Sequence, residues 1–369
     1  MTDAELLKTP LHARHVAMEA TMGPDGGWEM PMSFSGAGDE VRAVADRAAV
    51  FDISHVGRIR IRGDEALDLV ERVCTADVVR QEDDTARFTL LCNEAGGIID
   101  QCLAIRIEDW WVLTTSPINR VKVVEHLLAQ GQGLSVKVDD QTPKTSMVCV
   151  AGAQAEEMLD RALPVSVAHL APGRIKTGTL MLARYIAART AYMGAWALEV
   201  MLPNMFIGQA WRFITDKAGA NASPPAGAAA RDVLRIRAGH CRYGHELNET
   251  IDPFTAGLGR AVDFGHDFVG REALEALRDK PPARRRVGLV LARSDTPGAG
   301  GAIPTLGTAV CRTDGGQIGT VTSGTFCPML DRVIALAYMA AGACDAGAEV
   351  LVGTDAARAA EVVSLPFKG

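Results

Sequence analysis

At 369 residues, with 48% apolar and 22% charged side chains, the chain can fill two or three hydrophobic cores and has the make-up of an ordinary soluble globular protein. A net charge of -7 and a pI near 5.7 leave no basic footprint for nucleic acid. Eight cysteines stand singly with no Cys-x-x-Cys pair, which points to reduced, buried thiols rather than a zinc or redox site; no apolar run approaches the roughly 18 residues that span a bilayer, and the start Met1-Thr2-Asp3-Ala4-Glu5 lacks the features of a signal or transit peptide, so a cytoplasmic setting is expected.

Thr9-Pro10-Leu11 followed by 12–22 predicts a short helix, and Gly26-Gly27-Trp28-Glu29-Met30-Pro31 a glycine-rich loop with Trp28 and Met30 packed beneath it. A helix over 39–49 leads into Val50-Phe51-Asp52-Ile53-Ser54-His55-Val56-Gly57. Asp52, Ser54 and His55 are the residue types of a hydrolytic triad. Adjacent strand residues point to opposite faces, however, and a triad needs groups converging from separated segments, so these are expected to be polar groups satisfied at a domain junction. Arg58-Ile59-Arg60-Ile61-Arg62 alternates strictly, predicting a half-exposed strand with a solvated basic face. Gly63 and Asp64 should cap a helix over 65–74, with Leu67, Leu69, Val70 and Val73 at helical spacing.

The next stretch, Phe88-Thr89-Leu90-Leu91-Cys92-Asn93-Glu94-Ala95-Gly96-Gly97-Ile98-Ile99-Asp100, reads as a β-hairpin whose glycines are free to take positive φ. Asp100 falls at the start of a buried strand, where a carboxylate is costly unless paired or used. Two readings stand at this point: a turn-adjacent Asp satisfied by backbone amides, and a group held for chemistry. Strands over 86–91, 98–107 and 110–115 and a helix over 119–130 follow, in an α+β alternation. A strand over 144–151, a helix over 153–162 and a strand over 179–189 come next. Glu199 lies in Leu198-Glu199-Val200-Met201-Leu202 and needs a partner, either an internal arginine or a ligand. The Ala-, Gly- and Pro-rich 218–230 reads as a loop, 229–239 as a helix and 279–286 as an inter-domain linker. Beyond it, strands over 287–291, 308–312, 317–323, 333–338, 349–352 and 360–363, with a hairpin turn at Asp314-Gly315-Gly316, predict a small β-barrel.

Taken in order, Phe51 to Gly57, Gly96-Gly97-Ile98-Ile99-Asp100, Arg189-Thr190-Ala191-Tyr192 through Glu199, Ala230-Arg231-Asp232, Tyr243-Gly244-His245-Glu246, Asp267-Phe268-Val269-Gly270 and Thr322-Ser323-Gly324 resemble the folate-binding aminomethyltransferase family, the T-protein of the glycine cleavage system and its relatives. The resemblance covers essentially the whole chain. It implies a folate-binding α+β fold of two ferredoxin-like-type subdomains, roughly 1–50 with 145–278 and 51–144, a linker at 279–286 and a β-barrel over 287–369, set as a three-domain cloverleaf. It further implies a one-carbon transferase: a lipoyl-carrier protein delivers an aminomethyl group on sulfur, tetrahydrofolate accepts the carbon and ammonia leaves. No metal, membrane or nucleic acid is implied.

By the same resemblance Asp100 is the catalytic aspartate, and Arg231 lies close to the folate and the reacting carbon. Glu199 would accept the two-donor edge of the pterin, with Tyr192, Ser116 and Phe88 as further folate-binding positions. The chain also departs from the family pattern. Gln101 replaces a second Asp, Ser116 an asparagine, Ala195 a glutamate, Arg237 a glutamate and Phe88 a tyrosine. Two alternatives follow: a tetrahydrofolate-dependent demethylase of a small methylated donor, and a non-catalytic folate-binding factor of iron-sulfur assembly. The signature of the latter, K-G-C-Y-x-G-Q-E, meets Gly239-His240-Cys241-Arg242-Tyr243-Gly244-His245-Glu246 here, which keeps the cysteine and lacks the lysine and tyrosine.

Overall fold

In the computed structural model, which describes residues 5–163, 166–167, 169–180, 182–217, 222–293, 302–354 and 357–368, the apolar runs of the first 230 residues build two larger sheets. One has the strand order Ile175–Leu180, Ala183–Thr190, Ala197–Pro203, Thr145–Ala151, Ala49–Asp52, Pro225–Ala226. Its central strands are apolar in runs on both faces because both faces are covered, with Glu199, Asp52 and the Thr145-Ser146 start as the polar exceptions. Met147, Cys149 and Ala151 enter one core with Val41, Val44, Phe51 and Val233, while Val148 and Val150 enter another with Leu11, Leu159 and Trp211. The other sheet runs Thr85–Cys92, Ile98–Ile107, Trp110–Thr115, Gly57–Arg62, Lys137–Asp140. The helices Ala66–Val73 and Arg120–Gln130 bury Leu69, Val70, Val73, Val123 and Leu127 against its Ile59, Ile61 and Leu113. A small three-stranded sheet of Leu7–Lys8, Trp28–Ser33 and Thr21–Asp25 stands near the start.

The C-terminal part is a closed barrel in the order Arg284–Leu291, Arg332–Ala340, Gln317–Cys327, Ala309–Cys311, Glu349–Val352, Arg358–Val363. All six strands expected there form, and closure leaves no free sheet edge. The α+β architecture with its barrel is thus the one expected. Among the described residues no helix is long and apolar enough to cross a membrane.

Several local expectations are corrected. The helix expected over 12–22 is His12–Ala17 only, because Glu19 takes φ 57° and Gly23-Pro24 continues as the strand Thr21–Asp25. The loop expected around Trp28 is a strand, with Trp28 and Met30 buried as foreseen. The helix expected over 65–74 is Ala66–Val73; Asp64 does not cap it, and the Glu65 carboxylate accepts from the Ser135 amide at 2.6 Å instead. The single strand expected over 179–189 is a hairpin of Ile175–Leu180 and Ala183–Thr190. The 218–230 loop lies partly outside the described residues.

The boundaries also shift. Position 50/51 falls inside Ala49–Asp52, which stays with its partner Thr145–Ala151, so the chain crosses between sheets after Asp52. Residues 241–274, expected with the first subdomain, pack Cys241, Leu247, Ile251, Phe268 and Leu274 on Leu90, Cys92 and Ile98 of the hairpin and on Tyr338 of the barrel. The expected linker is shorter, since Arg284 already pairs with Ala340.

The solvated face expected for 58–62 is the largest correction. Arg58 is fully buried. Its guanidinium donates to the carbonyls of Ser54 (3.1 Å), Thr142 (3.0 Å) and Thr145 (2.8 Å), to Thr145 Oγ1 (2.9 Å) and to the Val56 carbonyl. The turn at 141–145 covers the Arg58 end of the strand's polar face, which alternation along the strand cannot reveal, while Arg60 is half-buried and Arg62 exposed as expected. Arg58→Met should lower unfolding free energy by at least about 3 kcal/mol, because several carbonyls lose their donor at once; the midpoint of urea unfolding measures this, and a shift of under about a third of that would contradict the assignment.

Candidate active site

The two large sheets, the helix Ala228–Arg237 and the loop after it enclose a cavity of about 1000 Å³. Phe88, Gln101 and Ser116 reach it from one sheet, Tyr192 and Glu199 from the other, and Arg231 from the helix. Five of the six positions expected to form the site therefore line one space.

Asp100, the sixth, sits one layer behind that surface. It pairs across the ladder with Leu91 just after the hairpin turn, where Gly96 takes φ 82° and a Cβ on Gly97 would lie 1.8 Å from the Glu249 carbonyl oxygen. It is 0% exposed. Its Oδ1 accepts from the Gln101 amide (2.9 Å) and its Oδ2 from the Ser116 amide (2.8 Å), and both of those residues line the cavity. The backbone-amide reading is thus literally present, yet it does not neutralise the site. Burial pushes the Asp100 carboxyl up to about 6 despite those bonds, as expected for a carboxylate whose hydrogen bonds only partly replace water.

Glu199 is central in its sheet, opposite Cys149 on one side and Ala188 on the other, and is 8% exposed. It makes no ion pair with any described residue. Burial pushes its carboxyl up from the ordinary range, and the Arg231 guanidinium and the Thr190 hydroxyl pull it back. The arginine pairing left open by the sequence is therefore not made. The Arg231 guanidinium lies over the Tyr192 ring at 4.8 Å, that ring stacks on His240 at 5.4 Å, and the Tyr192 hydroxyl donates to the Cys241 carbonyl at 3.3 Å. The Gln101 side-chain Nε2 donates to the same carbonyl at 2.9 Å.

The loop carrying His240 and Cys241 is anchored from the barrel. Glu246, fully buried, accepts from Arg235 Nη1 (2.8 Å), the Arg242 amide (2.9 Å), Thr322 Oγ1 (2.6 Å) and Ser323 Oγ (2.7 Å). This is the use of the Thr322-Ser323-Gly324 segment: it locks the barrel onto the cavity's rim. A buried pair held by this many donors satisfies the conditions under which burying charge is tolerated.

Sequence reasoning missed one end of the cavity, formed by Asp25, His55, Arg242 and Asp232. His55 Nε2 lies 3.3 Å from Asp25 Oδ2, and Arg242 bridges Asp25 and, at 3.5 Å, Asp232. Burial works against the Asp25 carboxylate, but His55, Arg242 and Arg231 hold it well below the usual range. Their only sequence signal was the polar cluster at 52–55, read as a junction. Asp52 and Ser54 fit that reading: Asp52 accepts from Thr9 Oγ1 (2.7 Å), His15 Nε2 (2.9 Å) and the Ser54 amide (2.9 Å). Ser54 Oγ donates to the Met147 carbonyl at 3.2 Å rather than to His55.

Two sequence-family descriptions match the chain: GCVT N-terminal domain over residues 11–266 and glycine cleavage T-protein C-terminal barrel domain over residues 284–368. The chain belongs to the glycine cleavage T-protein family. Its relatives include an aminomethyltransferase of Moorella thermoacetica, 35% identical with 99% of this chain and 98% of that one covered. Another, from Thermotoga neapolitana, is 33% identical with 90% and 89% covered. The crystal structure of glycine cleavage system aminomethyltransferase T from Bartonella henselae superposes with a TM-score of 0.88 at 27% identity, covering 99% of this chain and 98% of that one.

Proposed function

We propose that this chain is an aminomethyltransferase that moves the one-carbon unit of an aminomethyl group, carried on the sulfur of a lipoyl-carrier protein, to tetrahydrofolate with release of ammonia. The observation that carries the reading is a roomy cavity holding a buried carboxylate, Glu199, with no ion-pair partner among the described residues. A carboxylate in that state suits a ligand presenting two parallel N–H donors, and the pterin edge of a folate is such a group. Tetrahydrofolate, when bound, supplies the two nitrogens that take up the carbon, and the protons they lose end on the carrier thiol and on the ammonium. Tyr192 and Phe88 offer aromatic surface to it, and the Arg231 guanidinium, free of ion pairs among the described residues, would steady carboxylate or developing negative charge.

Asp100 is assigned the proton at the reacting nitrogen. Raised toward neutrality, it is a stronger base than an exposed aspartate and still ionised at pH 7. The signature cysteine of the assembly-factor alternative falls on Cys241, which is buried, and burial pushes its thiol up to about 11, the state of an inert thiol. All eight cysteines are free, in keeping with a reducing, cytoplasmic setting.

The deciding experiment supplies tetrahydrofolate with aminomethyl-loaded lipoyl carrier, beside free methylated amines, sulfonium compounds and aryl ethers. Ammonia and methylenetetrahydrofolate should form only with the carrier. One-carbon transfer from any free donor in the carrier's absence would replace this reading with a demethylase.

A further inference from the structure

The missed end of the main cavity is a partition. A second cavity of about 370 Å³ lies behind it, between the helix Ala37–Asp46, the helix Ala228–Arg237 and barrel residues that include Ile303, Thr325 and Phe326. Three residues line both spaces: Ala228, Asp232 and Arg242. The first two are short, so the Arg242 side chain forms the bulk of the shared wall. Its guanidinium is paired with Asp25 on the main-cavity side and stands 3.5 Å from Asp232. On the far side Ile303, Thr325 and Phe326 are all partly or well exposed, so the second cavity meets solvent.

The chemistry at this end centres on two carboxylates that share a cation. Asp25 and Asp232 are acceptors. His55 turns Nε2 to the Asp25 carboxylate, and its buried Nδ1 has no hydrogen-bond partner among the described residues. Arg242 is the cation that reaches both carboxylates, and Arg235 Nε also holds Asp232 at 2.9 Å. Such an end matches a small cation rich in N–H donors, able to take the guanidinium's place on Asp25. It does not match a folate tail or a lipoyl arm, which bring carboxylates or apolar chain.

We propose that the Arg242 partition is the exit for the ammonium product, which leaves through the second cavity while the folate and the carrier arm still occupy the main one. The inference rests on the aminomethyl-transfer reading, since that reaction releases its nitrogen as ammonium inside the site. Exchange of ammonium for Arg242 on Asp25, then on Asp232, carries the cation across while each carboxylate keeps a charged partner, so no buried charge is left bare.

The test fills the second cavity from residues that touch only it. At Gly38 a Cβ would meet its nearest atoms at 3.7 Å, ordinary contact, so Gly38→Phe is one plug; Thr325→Trp on the barrel wall is another, should the first fail to fold. Tetrahydrofolate affinity, measured calorimetrically, serves as the folding check. In a single turnover both variants should form methylenetetrahydrofolate at the wild-type rate, while steady-state turnover falls at least about tenfold because product release has become limiting. In the reverse reaction the KM for ammonium should rise about as much with the KM for methylenetetrahydrofolate unchanged, because the same path must then serve as entry. Wild-type steady-state turnover and ammonium KM in a folded, plugged variant would overturn the proposal and send the nitrogen out through the main mouth. Loss of the single-turnover step would overturn it too, by showing that the second cavity shapes the reaction itself. If the wild-type protein makes no methylenetetrahydrofolate from the loaded carrier, the functional reading fails first, and the comparison with the variants keeps the two failures apart.

Discussion

Asp100→Asn should lower turnover by roughly 10²–10⁴-fold, the range lost when a positioned acid–base group is removed, while tetrahydrofolate affinity changes by no more than a few-fold. The split follows from position. Asp100 touches the cavity only past Gln101 and Ser116, whose amides it holds, whereas the cavity's own surface is furnished by Glu199, Arg231, Tyr192, Ser116 and Phe88. The substitution has a structural cost as well. Both oxygens accept a backbone N–H, so an asparagine amide group must face one of those donors, costing on the order of 1–3 kcal/mol of stability. Thermal unfolding therefore accompanies the kinetics, and a variant that stays folded and binds folate but does not turn over is the expected result. Equal loss of binding and turnover would assign Asp100 to binding alone.

The same residue sets a pH dependence. The ionised carboxylate is the working form, and its folded value is about 6. Wild-type kcat should therefore fall as pH drops through about 6 and level off above it. Asp100→Asn should lose that limb, leaving only whatever titration the folate itself contributes.

Glu199→Gln should weaken tetrahydrofolate binding by about 2–5 kcal/mol, which is roughly 30- to 5000-fold in Kd, the usual loss when one side of a buried charged hydrogen-bonded pair is altered. Unlike most buried substitutions, it should not destabilise the free protein. The carboxylate has no ion-pair partner among the described residues, and burial raises its pKa, so the folded state resists its ionisation. The sign follows from that direction. A group whose folded pKa is raised favours folding fully only below its unfolded value, and that contribution is lost as pH rises through the folded value. Relative to wild type, Glu199→Gln should thus be no more stable at low pH and progressively more stable above the ordinary carboxylate range. Calorimetric titration with tetrahydrofolate and unfolding curves at two pH values check both halves. Unchanged affinity would remove Glu199 from the pterin, and marked destabilisation at neutral pH would mean that it holds the sheet together. A site residue that costs stability in exchange for binding is the familiar trade-off.

How much of this was readable in advance depended on distance along the chain. The hairpin around Asp100 was legible because its causes are local: apolar runs on both sides of a glycine pair, with Gly96 at positive φ and Gly97 against a carbonyl. The six barrel strands were legible for the same reason, since short apolar segments between glycine turns have few other ways to bury themselves. Arg58 was misread because alternation along 58–62 divides a strand into two faces without telling whether a distant turn, here 141–145, covers the second. The Asp25, His55 and Arg242 end was almost invisible, with the polar cluster at 52–55 as its one trace. Its members are scattered from the N-terminal sheet to the loop after the helix Ala228–Arg237, so no local run brings them together.

The order of residues alone determined the α+β class, the barrel and the identity of the two expensive carboxylates, because hydrophobic period, turn chemistry and the cost of burying charge all act over a few neighbouring positions. Only the tertiary structure decided that Glu199 makes no ion pair among the described residues, that Asp100 lies behind the cavity wall with its oxygens on two amides, and that Arg242 stands between two cavities. Those outcomes are set by which surfaces meet across 100 or more residues, and no local pattern carries that information.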